Sequence, residues 1–517
     1  MEYLDIKKSR ISLSSILTFI IFGLVVILTI SFSILDYKNT KGSFAGVAGS
    51  TLAKCFSVGR NAREIFYSKE YSDPHLKTLD GLCVFSMMWI ICASGFYYFG
   101  ISPLTNKETY EKDAEESYFF HVMLAATFTF NVFFFISGFL CAIKLTEKIE
   151  KELEETPTYK IILLSYLQRI LRLLPLYFLG ILILMTVIPF IYSGQPLSSI
   201  IEWQGDKCQS NYWQNLLFIQ NFFTQRDACM PWTSYFAADF QLFLITPIVI
   251  IIYTKNNKFG IFAALGLCFV SIVTQVVTVV GYDLPINQPF FGTKTSLDIY
   301  YSKPYINMFA YFVGILLGWH YLSSKNGDIE ESSGFFDRLL NNSIMKFVLV
   351  LLGTSFISAC VSLRYVLRDS ALEVQSAYLI LGNFLFLVGV LMIFYPAILG
   401  KYKLIYLVFG ASLWGPLRKL GFGAFMFHVV IILTEKVMDY HASYYTFMRV
   451  FLSAIHVFCL AYFVSFLLTV FFEAPLRQLQ RVYLFETEAV AEDDDNLTEL
   501  APGKHINTTE PLLENKS

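Results

Sequence analysis

Apolar runs of about twenty residues recur along this chain from Ser12 to Phe472. Each is long enough to cross a lipid bilayer as an α-helix. Hydrocarbon offers no water to exposed amides, so repeated runs of this length dictate an all-α, polytopic transmembrane bundle. Charge agrees: 15% of residues are charged and 55% are hydrophobic, whereas soluble domains run near a quarter charged. A net charge of −2 gives no field for nucleic acid. No glycine-rich phosphate loop and no Cys/His cluster with metal-ligand spacing stands out, so neither nucleic acid nor a metal is expected as a partner.

About eleven spans are expected: one at Ser12 to Leu35, then a ten-helix core. The core spans are Leu79–Tyr98, Phe119–Leu140, Tyr166–Ile183, Phe236–Tyr253, Phe259–Val280, Pro304–Leu322, Ile344–Leu363, Ala377–Leu399, Phe422–Val437 and Val450–Phe472. The organisation is therefore an N-terminal anchor and linker (1–78), a transmembrane domain (79–481) and an acidic tail (482–517) without a periodic apolar face, expected to be disordered and cytosolic. Basic residues favour the cytosolic side. Lys38, Lys41, Lys54, Arg60 and Arg63 put the polar segment from Asp36 to Lys77 there, although Lys7, Lys8 and Arg10 pull the other way. The long polar loop from Ser193 to Tyr235 falls on the opposite side, and its Cys208 and Cys229 are expected to form a disulfide. Gly400 to Leu420 should lie along the cytosolic surface. The sequons at Asn341, Asn496 and Asn507 then face the wrong compartment for use.

Chemistry must come from the few polar residues inside these spans. The first core span reads LDGLCVFSMMWIICASGFYY, opening on Asp80-Gly81. Its Cys83 and Ser94 are eleven residues apart, hence on one helix face and about 16 Å apart along the axis. Arg169 and Arg172 share a face where their span enters the bilayer. They snorkel to headgroups or clamp an anionic cofactor through its phosphates. Asp239 and Gln241 lie within a span, and an intramembrane Asp marks either a functional site or a hydrogen-bond node, with Arg169 or Arg172 as its partner. His428 lies in a core span near its expected cytosolic end, and His121 is expected at an exposed lumenal end.

Several blocks together resemble one family. FFFISGF, RILRLLPLY, CMPWTSYFAADFQLFLITP (Cys229–Pro247), KPYINMFAYFVGILLG, GFGAFMFHVVI and FEAPLRQL occur in order. With FSVGRN at Phe56, they are similar to the membrane acyltransferase 3 family, in its animal branch of the nose resistant to fluoxetine type. That resemblance implies O-acyl transfer from acyl-CoA, with a His as base on an acceptor hydroxyl and Arg residues holding the donor. Family members begin this helix LDGxR and carry a His eleven residues after the Arg. Here Cys83 stands at the Arg position and Ser94 at the His position. A serine hydroxyl has no useful basicity at neutral pH, and a neutral thiol holds no anion. Asn131 stands where the family often has Asp, while His428 matches a family His and is a possible substitute base. Two readings stay open: an acyltransferase using another base, or a non-catalytic protein that binds or moves lipids or small hydrophobic molecules. Membrane lipids and a hydrophobic or hydroxylic acceptor are the implied partners. The protein is expected to be an integral multi-pass membrane protein in either case, of the endoplasmic reticulum, endosome or plasma membrane.

Overall fold

The structure, a computed structural model, describes residues 13–40, 47–67, 71, 73–152, 157–191, 199–284, 286, 296–326, 342–438 and 441–482. The three sequons, the first basic cluster and the acidic tail beyond residue 482 lie outside these residues. Eleven helices among them are long and apolar enough to cross a membrane. They are α1 (Leu13–Thr40), α2 (Thr78–Ile101), α3 (Thr129–Glu152), α4 (Thr158–Leu182), α5 (Ser234–Lys255) and α6 (Asn257–Gly281). The series continues with α7 (Pro304–Asn326), α8 (Ser343–Val366), α9 (Leu372–Ile398), α10 (Trp414–Met438) and α11 (Phe447–Leu468). The protein is thus an integral multi-pass helical bundle.

Among the described residues two large apolar clusters, with two smaller ones beside them, fill most of the interior. One centres on α3, α5, α7 and α9, and the other on α2, α4, α10 and α11. Trp89, Phe130 and Tyr235 pack against both, so they mark the seam. Within the first cluster the α3 and α7 backbones nearly touch. A Cβ on Gly138 would fall 2.0 Å from the Tyr311 carbonyl oxygen, and one on Gly314 would fall 2.3 Å from that of Phe135. Small residues at a helix crossing permit such an approach where lipid supplies no hydrophobic drive of its own.

The Asp80-Gly81 pair at the start of α2 has a structural account. Asp80 is buried and meets Arg418 of α10 at 3.3 Å and the Tyr71 hydroxyl at 2.9 Å. A Cβ on Gly81 would lie 2.4 Å from the Phe409 carbonyl oxygen, so no larger residue fits without moving the backbone.

Several segments differ from expectation. The polar linker before α2 carries two helices, Val47–Phe56 and Val58–Tyr67, because half of each is apolar and packs on the bundle. The acidic connection after α2 is helical over Lys107–Glu116, and the Ser193 to Tyr235 loop contains Ser199–Leu216. Helix α10 starts at Trp414, eight residues before Phe422, so Arg418 and Lys419 lie within it rather than along the surface. Lys419 donates to the carbonyls of Glu64 and Ile65. After Glu473 the chain stays helical over Ala474–Gln480. His121 is buried rather than exposed, its Nε2 3.0 Å from the Glu115 carbonyl oxygen, because Tyr118–Leu124 packs against α8, whose Tyr365 ring lies 5.6 Å from the imidazole.

Candidate functional site

One face of α2 builds the wall of a cavity of about 320 Å³. Ile90, Ala93, Ser94, Tyr97, Tyr98 and Ile101 line it. Their spacing of 3, 4, 7, 8 and 11 residues is a single helical stripe, about 16 Å long. Phe130, Phe134 and Tyr235 close the cavity at the seam of the two clusters, and Trp232 and Phe425 add aromatic surface. Trp232 is anchored by its Nε1, which donates to the Met426 carbonyl oxygen at 3.0 Å. The volume suits a small organic molecule or part of a lipid.

The cavity is polar in two places. Lys207, Gln225, Arg226 and Asp298 make one polar group in the lining. Lys207 donates to the Arg226 carbonyl oxygen, and the Gln225 backbone N–H donates to Asp298 Oδ1 at 2.5 Å. Burial lowers the Lys207 amine to about 8, against the opposing pull of Asp227. A π-helical turn, Leu297–Tyr301, brings Asp298 and Tyr301 into the lining. Such wide turns insert an extra residue and often re-aim side chains at sites.

The other polar place is Ser94 with His428. His428 is completely buried in α10, and its Nε2 lies 3.1 Å from Ser94 Oγ. Its Nδ1 lies 2.6 Å from the Phe425 carbonyl oxygen, which can only accept, so Nδ1 carries the ring proton. In the neutral ring Nε2 is then the acceptor, and Ser94 donates to it. His428 lies fourteen residues into α10, beside a cavity that also takes Gln204, Lys207, Gln225 and Arg226 from the disulfide-bearing loop.

The remaining sequence candidates divide cleanly. Cys83 packs with the first apolar cluster and does not line the cavity. Arg169 pairs with Asp239, also contacts Ser137 Oγ at 3.3 Å, and has Phe243 4.4 Å beneath its guanidinium. Arg172 is exposed. Neither arginine lines the cavity. Gln241 bonds Asn221 at 2.9 Å and the Phe218 carbonyl at 2.7 Å, an inter-element clasp. Asn131 donates to Asn383 at 2.9 Å, which donates to Tyr300, which donates to Gln275, tying α3, α9 and α6 together. Cys208 and Cys229 are disulfide-bonded, their Cα atoms 4.3 Å apart. Beside the bridge, Asn215 reaches the Cys229 carbonyl at 2.7 Å, and Gln220 reaches the Tyr177 hydroxyl at 2.8 Å. Among the described residues no group of three or more His, Cys, Asp or Glu side chains is placed to hold a metal.

Tyr97, Trp232, Asp298 and Tyr301 were not singled out by sequence. Trp232 and Tyr235 do sit in the CMPWTSYF block, and Tyr235 precedes Asp239 by one turn.

An acyltransferase domain model matches residues 76–474. Nose resistant to fluoxetine protein 6 of Caenorhabditis elegans is 23% identical over 482 residues, covering 88% of this chain and 57% of that protein. Regulator of hypoxia-inducible factor 1 from the same organism is 21% identical over 307 residues, covering 54% of this chain and 57% of the relative. The chain therefore aligns with about 57% of the length of each of these curated relatives. No solved structure matches.

Proposed function

The chain belongs to the acyltransferase 3 family of integral membrane proteins, and from that premise we propose that it transfers an acyl group from an acyl-CoA thioester to a hydroxyl of a small hydrophobic molecule or lipid held in the cavity beside α2. The observation that carries this reading is His428 Nε2, 3.1 Å from Ser94 Oγ on the cavity wall. The family's usual base position holds Ser94, yet the imidazole of α10 stands against that position from the opposite side. A ring with Nδ1 committed to a carbonyl presents Nε2 to whatever hydroxyl replaces or joins Ser94. Acceptor recognition would come from the aromatic walls, with Trp232 and Tyr235 fixing its depth. The donor phosphates would meet the exposed Arg172, one turn further along α4 than Arg169.

A second reading keeps the cavity and drops the chemistry: a binder or carrier of lipids or small hydrophobic molecules. It is favoured by Cys83 in the apolar cluster where the family Arg belongs, and by the absence of Arg169 and Arg172 from the cavity lining. Purified full-length protein, assayed for thiol release from acyl-CoA with and without a lipid or sterol acceptor, separates the two. Acyl transfer predicts turnover that His428→Ala lowers by about 10²–10⁴-fold. A parent protein that binds acyl-CoA or lipid but releases no thiol leaves only the carrier reading.

A further inference from the structure

Resting on that acyl-transfer reading, we propose that Ser94 is itself the acyl-accepting nucleophile, so that transfer proceeds through an ester on α2. The geometry of a base-activated hydroxyl is on the page. Ser94 Oγ is 3.1 Å from His428 Nε2, and His428 is oriented by a third group, the Phe425 carbonyl, 2.6 Å from Nδ1. Nucleophile, base and orienting group in series is the arrangement that raises a hydroxyl's reactivity, here with a carbonyl in the place a carboxylate often takes.

Hydroxyls of the spans bond in more than one way: Ser271 and Ser465 donate to carbonyls of a neighbouring helix at 2.9 and 2.7 Å, and Ser453 donates to the Glu435 carboxylate. Ser165, Thr186 and Thr246 each donate to the carbonyl four residues back in their own helix, at 2.8, 2.6 and 2.9 Å. That is the default for Ser and Thr in a helix. The Ser94 hydroxyl bonds His428 instead, across to α10, and it faces a cavity rather than lipid or core. A mere helix-to-helix clasp needs no cavity at that point.

The chemistry balances without any redox partner. Ser94 Oγ attacks the thioester carbonyl carbon and its proton passes to His428 Nε2. The C–S bond breaks, and the leaving thiol takes that proton, so the acyl group is now esterified to Ser94 and His428 is neutral again. The acceptor hydroxyl next gives its proton to Nε2 and attacks the ester. The bond from carbonyl carbon to Ser94 Oγ breaks, and Oγ recovers the proton. The net change is acyl exchange from sulfur to the acceptor oxygen. Ile90, Ala93 and Phe130 surround the ester with apolar surface, which limits its loss to water.

The test uses full-length protein in lipid nanodiscs, exposed to a fluorophosphonate carrying an alkyl chain and then digested for peptide mass spectrometry. The expected result is an adduct on the Ser94 peptide, absent in Ser94→Ala and slowed at least tenfold in His428→Gln. Ser94→Ala removes only a hydroxyl, and its melting temperature against the parent shows that it is folded, so the result does not depend on His428→Gln surviving. Acyl-CoA added without acceptor should likewise leave a hydroxylamine-labile acyl group on that peptide. An unmodified Ser94 in a protein whose Ser94→Ala variant still transfers acyl groups overturns the nucleophile and leaves His428 as the base. A fluorophosphonate adduct on Ser94 in a protein that releases no thiol from acyl-CoA supports the nucleophile and refutes acyl-CoA as donor.

Discussion

Removing Arg169 should destabilise the protein more than neutralising Asp239, although the two are partners in one ion pair. The side chains are 21% and 11% exposed, so neither can exchange its partner for bulk water. The pair is lopsided in what each keeps. Asp239 Oδ2 meets Arg169, and among the described residues Oδ1 has no hydrogen-bond partner. Without the guanidinium the carboxylate is left buried with nothing. Arg169 without the charge still has Ser137 and the Phe243 ring, and Asn at 239 keeps an acceptor oxygen in place. Arg169→Met should therefore cost about 3–5 kcal/mol, the usual penalty for orphaning one member of a buried pair. Asp239→Asn should cost about 1–3 kcal/mol, as for a weakened hydrogen bond to a charged group. Replacing both, Arg169→Met with Asp239→Leu, should return the protein to within about 1 kcal/mol of the parent, since the desolvation cost of both charges disappears with them. Heating detergent-solubilised protein and following the monodisperse fraction by fluorescence-detected size exclusion ranks the variants. The single Arg169 variant is expected to melt on the order of 5–10 °C lower. A double variant as unstable as Arg169→Met alone would show that the two residues are not coupled, and would return Arg169 to the role of an independent anion contact.

Further outcomes follow from the loop side and from the linker. Cys208→Ser opens a loop of 21 residues and should lower stability by about 3 kcal/mol, read by the same thermal assay, with reducing agent having no further effect on the variant. Lys207, with its amine lowered to about 8 by burial, should react with an amine-selective reagent at a lower pH than a lysine of ordinary basicity. Because its folded value lies below the ordinary one of about 10.4, the burial cost is full below pH 8 and fades as pH rises toward 10.4; the melting temperature should climb in that window, and less so in Lys207→Gln. Cysteines placed at the exposed positions Gly59 and Gln209 should react with an impermeant reagent from opposite sides of sealed vesicles, and reaction from one side for both would reverse the orientation taken from the basic loops.

The spans were legible because a bilayer imposes a length, and twenty apolar residues are hard to mistake. The shorter helices at Val47–Phe56, Val58–Tyr67 and Ser199–Leu216 mix charge and apolar residues too evenly for such a rule, and only tertiary packing decides them. Outside the cavity, Asp239 could be matched to an arginine on charge alone, since a buried carboxylate needs a cation. The meeting of Ser94 with His428 spans 334 residues of sequence, and no local spacing carries it. The cavity stripe on α2 was hidden for a different reason. That helix is apolar on every side, so the face turned to a cavity reads the same as the faces turned to core or lipid.

The close crossing of α3 and α7 sets an order on how this protein can be made. Gly138 and Gly314, whose missing side chains let the two backbones meet, are separated by 176 positions, 314 less 138. A ribosome adding about 5–20 residues per second takes roughly 9–35 s to travel between them. For that interval α3 sits in the bilayer with its glycine groove unfilled, while α4, α5 and α6 are inserted around it. The newborn chain must hold that slot open against lipid and against the wrong helix, and the first half of the cavity wall waits with it.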